Sequence, residues 1–150
     1  MVTRQCKSYA EPLKVNYPSF VNTNTILGQN IHLNGLRIAG QGQVIIGDNF
    51  HCGYDCLMIT QVHNYDKGDA IPYGNDYIYK KIVIEDNVWL GDRVIILGDA
   101  TVGEGAIIQA GSVVVKDIPK YALAGGHPAQ VFKYRDINHY EKLKKEKKFH

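Results

Sequence analysis

The chain has 150 residues, 45% hydrophobic and 21% charged, a length and balance that predict one folded globular domain. Its net charge of +2 argues against nucleic acid as the main partner: a phosphate-tracking protein carries a basic stripe through its fold, and the dense basic run here is Lys142–Lys148 at the tail. No apolar window suggests a membrane span or a secretory signal, and three cysteines without framework spacing suit a reducing cytoplasm.

Residues 1–20, with Pro12 and Pro18 and no apolar period, read as an irregular lead-in. A six-residue spacing then begins at Val21, Leu27 and Leu33, with Thr25 and Ile31 four residues after the first two. Gly40 and Gly42 interrupt it. It resumes one residue displaced at Ile46, Cys52 and Met58, with Phe50 and Cys56 in a secondary inward place. A single inserted residue near 37–42, bulging at a corner, accounts for the slip. From Thr60 to Lys81 the repeat fails, and this stretch holds His63, Gly68, Pro72, Gly74 and the tyrosines 65, 73, 77 and 79. A long excursion thrown from a rigid repeat is usually functional, because the scaffold positions it.

The repeat returns strongly at Ile84. Every sixth residue from there, Ile84, Leu90, Ile96, Val102, Ile108 and Val114, is aliphatic. Four residues after each come Val88, Val94, Ala100, Ala106, Ser112 and Ile118, all small or β-branched. This period fits neither a helix nor simple strand alternation, so each unit is a short strand and a corner, buried only by stacking on its neighbours. Pro119 ends the repeat; residues 121–135 read as extended, and Asp136 opens a short lysine-rich helix with a solvated face. The organisation is therefore a lead-in (1–20), a repeat domain (21–118, with the insertion 60–81) and a C-terminal extended segment and helix (119–150).

Two tempting signals dissolve into the repeat. His51, Cys52 and Cys56 suggest a metal site, but both cysteines occupy inward places, where a free thiol behaves as a small hydrophobe. Gly103-Glu104-Gly105 resembles half a phosphate loop, yet it falls at a repeat corner. No metal is expected. His32 and His51 fall at outward corners and read as solvent-facing, and Trp89 falls in an outward place.

Ile84-Glu-Asp-Asn-Val-Trp-Leu-Gly-Asp-Arg93, the block Ile108-Gln-Ala-Gly-Ser-Val-Val-Val-Lys-Asp-Ile-Pro119 and Ala124-Gly-Gly-His-Pro-Ala-Gln-Val131 together resemble the hexapeptide-repeat acyltransferases. The branch most similar holds the maltose, galactoside, xenobiotic and polysaccharide O-acetyltransferases, over about residues 21–135. The resemblance implies an all-β fold, a left-handed parallel β-helix of triangular section. It also implies a homotrimer with active sites between subunits and acetyl-CoA lying along the prism. Three units per coil make about four to five coils, a stub roughly 20 Å tall at ~4.8 Å per strand. The chain begins without the helical N-terminal segment of the maltose and galactoside enzymes, which points to sugars of a capsule, lipopolysaccharide or nucleotide-linked precursor.

The resemblance makes His63, where the loop leaves the helix, the catalytic base. A neutral imidazole titrating near pH ~6.5 suits removal of an alcohol proton during attack on a thioester. Asp66 and Asp55 are candidates to fix its tautomer. For acetyl-CoA the matched positions are Asp92, Ala110, Val115, Lys116, Gln130 and Lys133, with Gln130 departing from the usual basic residue and Arg135 near enough to compensate. His127 falls beside the cofactor groove. Asn34 matches an acceptor-binding asparagine of the galactoside branch, and Tyr54, Tyr65, Tyr73 and Tyr77 are candidates to stack on a sugar or to cover apolar surface. The expected function is acetyl-CoA-dependent O-acetylation of a sugar by direct transfer. The alternatives are N-acetylation of a nucleotide-linked amino sugar, a non-catalytic trimeric scaffold, and a β-helical carbonic anhydrase, which needs three zinc-binding histidines where this loop offers one.

Overall fold

The computed structural model describes residues 2–150. The chain opens with α1 (Val2–Gln5) and β1 (Leu13–Tyr17) and then winds around three faces. One coil is β2 (Thr25–Leu27), β3 (Ile31–Asn34) and β4 (Arg37–Ala39); the next is β5 (Val44–Ile46), β6 (His51–Tyr54) and β7 (Leu57–Ile59). An arm follows, β8 (Gln61–His63) and β9 (Tyr77–Tyr79). Two further coils are β10 (Ile82–Ile84), β11 (Trp89–Leu90) and β12 (Ile95–Leu97), then β13 (Thr101–Val102), β14 (Ile107–Ile108) and β15 (Val113–Val114). The chain closes with β16 (Ala122–Gly126), β17 (Ala129–Tyr134) and α2 (Ile137–Lys145).

Each face is one sheet, and strands pair in parallel with the coils above and below. The first face is β2-β5-β10-β13 and the third is β4-β7-β12-β15. The second stacks β1, β3, β6, β11, β14 and β16 and is closed by antiparallel β17. The result is the left-handed parallel β-helix that the resemblance implied. Every aliphatic residue of the six-residue series from Ile84 to Val114 is buried, as is every small residue four positions on. Register puts Ile46, Ile84 and Val102 in one inward column, so each rung is covered only by its neighbours.

The sequence reading needs three corrections. Residues 13–17 are not irregular: β1 pairs in parallel with β3, and Val2 is buried in the core. The second face therefore holds six parallel strands, about 24 Å at ~4.8 Å per spacing, rather than four to five coils. The pairing was invisible because the edge that receives β1 lies eighteen residues downstream (Leu13 opposite Ile31); residue 1 lies outside the described residues. The frame slip, secondly, is two compensating changes. Leu33 to Ile38 is one residue short and Ile38 to Ile46 two long against the six-residue norm, as the pairs Leu27–Ile46 and Ile38–Met58 require. The long corner is sealed by Asn22, whose Nδ2 donates to the carbonyls of Gly40 and Gly42 at 2.8 and 2.9 Å.

Thirdly, the C-terminal part is more than an extended segment with a solvated helix. Residues 122–134 form a hairpin, and α2, capped by Asp136 accepting from His139 N at 3.0 Å, is tied to a corner of the prism. That corner is a column of left-handed residues, Asn30, Asn49 and Asn87 with φ of 54, 56 and 61°, a conformation asparagine tolerates. Their side chains form a ladder, Asn30 donating to Asn49 and Asn49 to Asn87 at 2.9 and 2.8 Å, and Asn87 donates to the Tyr140 hydroxyl at 2.8 Å. Gly105 continues the column at φ +70°, where a Cβ would lie 2.9 Å from the Tyr140 ring. Tyr140 and Lys144 both donate to the buried carboxylate of Glu104.

Candidate active site

The excursion after Thr60 is an ordered antiparallel arm, His63 opposite Tyr77 and Val62 opposite Ile78. Alternation puts His63 and Tyr77 on one face. The tip folds back so that the Tyr73 ring stacks on the imidazole, centroids 3.8 Å apart and planes 17° apart, while Tyr77 lies at 4.5 Å and 37°. Asn64 closes the tip, donating to Asp76 at 2.8 Å and accepting from Lys67 N at 3.0 Å. Lys80 fastens the root, its N donating to the Thr60 carbonyl at 2.8 Å and its Nζ to Asp99 at 2.5 Å.

Between these rings Nδ1 of His63 is buried without a hydrogen-bond partner. Neither carboxylate considered for orienting it does so: Asp66 sits 3.6 Å from Lys67 and Asp55 4.0 Å from Arg93. Ring stacking, not a carboxylate, holds the imidazole. Tyr73 and Tyr77 thus pack on His63 while both stay exposed on their other sides, a fold-back of the tip that is a tertiary contact and so was not legible in the sequence.

A groove of about 470 Å³ lies on the second face, at its edge toward the third. Gly53, Gly91, Asp92 and Ala110 line its corner, Trp89 stands on one side, and Phe132 of β17 overhangs it. The coils approach closely here, a Cβ on Gly91 falling 2.6 Å from Ala110 N, so glycine is needed and the backbone stays open to a ligand. Asp92 also locks two coils, its Oδ1 accepting from Tyr54 N at 2.8 Å. The structure thus brings Asp92 and Ala110 together. Val115 and Lys116 are exposed just past β15, and Gln130 and Lys133 are exposed on β17 on either side of Phe132; none of the four lines the groove. His127 is exposed and likewise outside it. Phe132 is the residue the sequence reading missed, although it lies between two positions it had marked.

Asn34 uses both ends of its amide within the stack, donating to the Cys52 carbonyl at 2.7 Å and accepting from Asn16 at 3.0 Å. His32 and His51 are not simply solvent-facing: their rings stack 4.0 Å apart, and burial, then neighbouring cations, pushes both below the usual imidazole range. Cys52 and Cys56 are buried inward as the repeat required. No helix among the described residues is long and apolar enough to cross a membrane.

A left-handed parallel β-helix built on a six-residue repeat is the architecture of the hexapeptide-repeat transferases. The family described as bacterial transferase hexapeptide (six repeats) matches residues 81–116. The galactoside O-acetyltransferase of Lactococcus lactis is 34% identical over 116 residues, 77% of this chain and 55% of that protein. Among solved structures, a maltose O-acetyltransferase from Clostridium difficile superposes with a TM-score of 0.68 at 28% identity, covering 86% of this chain and 66% of that one. A hexapeptide-repeat acetyltransferase from Vibrio cholerae, complexed with acetyl coenzyme A, gives 0.59 at 26% identity over 87% of this chain and 66% of that one. The chain thus carries the hexapeptide repeat of the bacterial transferases and is similar over most of its length to hexapeptide-repeat acetyltransferases. It spans about half the length of the curated relatives it matches.

Proposed function

We propose that the chain is an acetyl-CoA-dependent O-acetyltransferase that acetylates a sugar hydroxyl, with His63 as general base. The observation that carries this reading is the imidazole immobilised between Tyr73 and Tyr77 at the root of the arm. As the acceptor oxygen attacks the thioester carbonyl, His63 takes its proton. The C–O bond forms, the tetrahedral oxyanion collapses, the C–S bond breaks, and the departing thiolate recovers the proton from the imidazolium. No covalent enzyme intermediate is required. The groove receives the pantetheine arm of acetyl-CoA beside Asp92 and Ala110, with Val115, Lys116, Gln130 and Lys133 flanking the nucleotide end. Asn34 lies toward the acceptor.

No residue of the arm lines the groove of its own chain. The two halves of the site therefore meet between copies, which favours a homotrimer. Outward positions of the third face, Leu57, Ile59, Ile95 and Leu97, are aliphatic and half-buried, and a sheet face so apolar favours a covering neighbour. A cytoplasmic location fits a donor made there.

The test is thiol release from acetyl-CoA across a panel of sugars, amino sugars and nucleotide sugars. His63→Ala is expected to lower turnover with a sugar hydroxyl about 10²-fold or more while leaving coenzyme A binding intact. Undiminished release in the variant would end the assignment. A mild loss with an amino-sugar acceptor would favour the N-acetyltransferase, because a neutral amine needs less help from a base.

A further inference from the structure

A second cavity, of about 410 Å³, lies on the opposite side of Trp89 from the groove, and no step of the proposed reaction uses it. Its floor is the asparagine corner with Val88 and Trp89, and its far wall is α2 and the segment beyond, through Leu143 and Phe149. Val88, Trp89, Leu143 and Phe149 supply its apolar surface, and Asn49, Asn87 and His51 its polar floor. Arg135 stands in the wall. It is half-buried, its Nε donates to the Gly105 carbonyl at 2.5 Å, and its guanidinium carbon lies 5.4 Å from the centre of the Tyr140 ring. Among the described residues no carboxylate comes within ion-pairing distance of it.

That arrangement is unusual for a stabilising arginine. A cation withdrawn from water is costly unless an anion meets it, and the acids nearby are taken: Glu104 binds Lys144 and Lys120, and Glu146 binds Lys148 at 2.7 Å. Among the described residues no acidic side chain lines the cavity, whereas Arg135, Lys144 and Lys148 all do, beside the imidazoles of His51 and His150. The volume falls in the range of small-molecule sites, which are mostly apolar with a few convergent polar groups.

We propose that this cavity binds a small amphipathic anion: a flat ring lying against Trp89, Leu143 and Phe149, with a carboxylate, sulfonate or phosphate received by Arg135. The occupant is separate from acetyl-CoA, since the two cavities share only Trp89. The site does not depend on the chemistry at His63, so it stands or falls independently of the proposed reaction.

Trp89 is the single tryptophan of the chain, so one indole N–H resonance reports on both cavities. The probes are benzenesulfonate, inorganic phosphate and benzyl alcohol, titrated into the full chain with and without saturating coenzyme A. Benzenesulfonate should shift the indole signal saturably, and still do so with coenzyme A bound. Phosphate, lacking the ring, and benzyl alcohol, lacking the charge, should each bind at least about tenfold more weakly. Arg135→Gln should weaken benzenesulfonate about tenfold, the loss of one charge-assisted contact. Leu143→Glu, on the surface of α2, puts a carboxylate beside Arg135 and should do the same, keeping the test open if Arg135→Gln does not fold. Three results overturn the proposal: no saturable shift, as when a second copy fills the cavity; displacement of benzenesulfonate by coenzyme A; or unchanged binding in a folded variant.

Discussion

His63 illustrates how this chain fixes an imidazole without a carboxylate partner. Two tyrosine rings enclose its Nδ1, so orientation depends on shape. Tyr73→Leu should therefore lower kcat roughly tenfold with KM nearly unmoved, because only alignment in the transition state is lost. Tyr73→Phe, which keeps the stacked ring, should remain close to wild type, and steady-state kinetics on the two variants checks this. Glu104 shows the opposite case, a carboxylate fully engaged. Burial alone would raise its pKa, but hydrogen bonds from Lys144 and Lys120 outweigh that and hold it below its ordinary value of 4.5. A depressed carboxylate stabilises the fold above its unfolded pKa, and the contribution disappears as pH falls through the folded value. The protection of α2 amides against hydrogen exchange, taken relative to the intrinsic rate at each pH, should accordingly fall below about pH 4.5; in Glu104→Gln protection should be lower at neutral pH and lose most of that acid dependence.

At the scale of elements, the chain spends two kinds of strand on two kinds of surface. The first-face strands β2, β5 and β10 show one outward side chain each and the third-face strands β7 and β12 two, so the middle of the third face presents the wider apolar sheet. Ile95→Lys places a charge in the middle of that sheet without touching the inward rung. It should leave the circular dichroism unchanged while shifting sedimentation toward a monomer and reducing acetyl transfer. A variant that sediments like wild type would place the interface elsewhere.

For the whole molecule, the legible and the illegible parts divide along one line. The six-residue periodicity from Ile84 to Val114 announced which side chains face inward, and all of them do, because each rung is set by residues close in sequence and repeated without change. Asp92 and Ala110 are marked by the family resemblance rather than by the period, and the structure puts them in one groove. The first strand, the compensating corners and the two-stranded arm were not legible in this way. Each depends on a partner that repetition does not specify.

Sequence alone determined the architecture, since a six-residue alternation of aliphatic and turning residues can bury itself only by stacking coil on coil. Tertiary structure alone decided that Tyr73 returns to cover His63, that Tyr140 caps the asparagine ladder, and that Arg135 lines a cavity beside α2. Those three are contacts between segments far apart in the chain or across a folded loop. Their geometry follows from where the coils end, which no local pattern encodes.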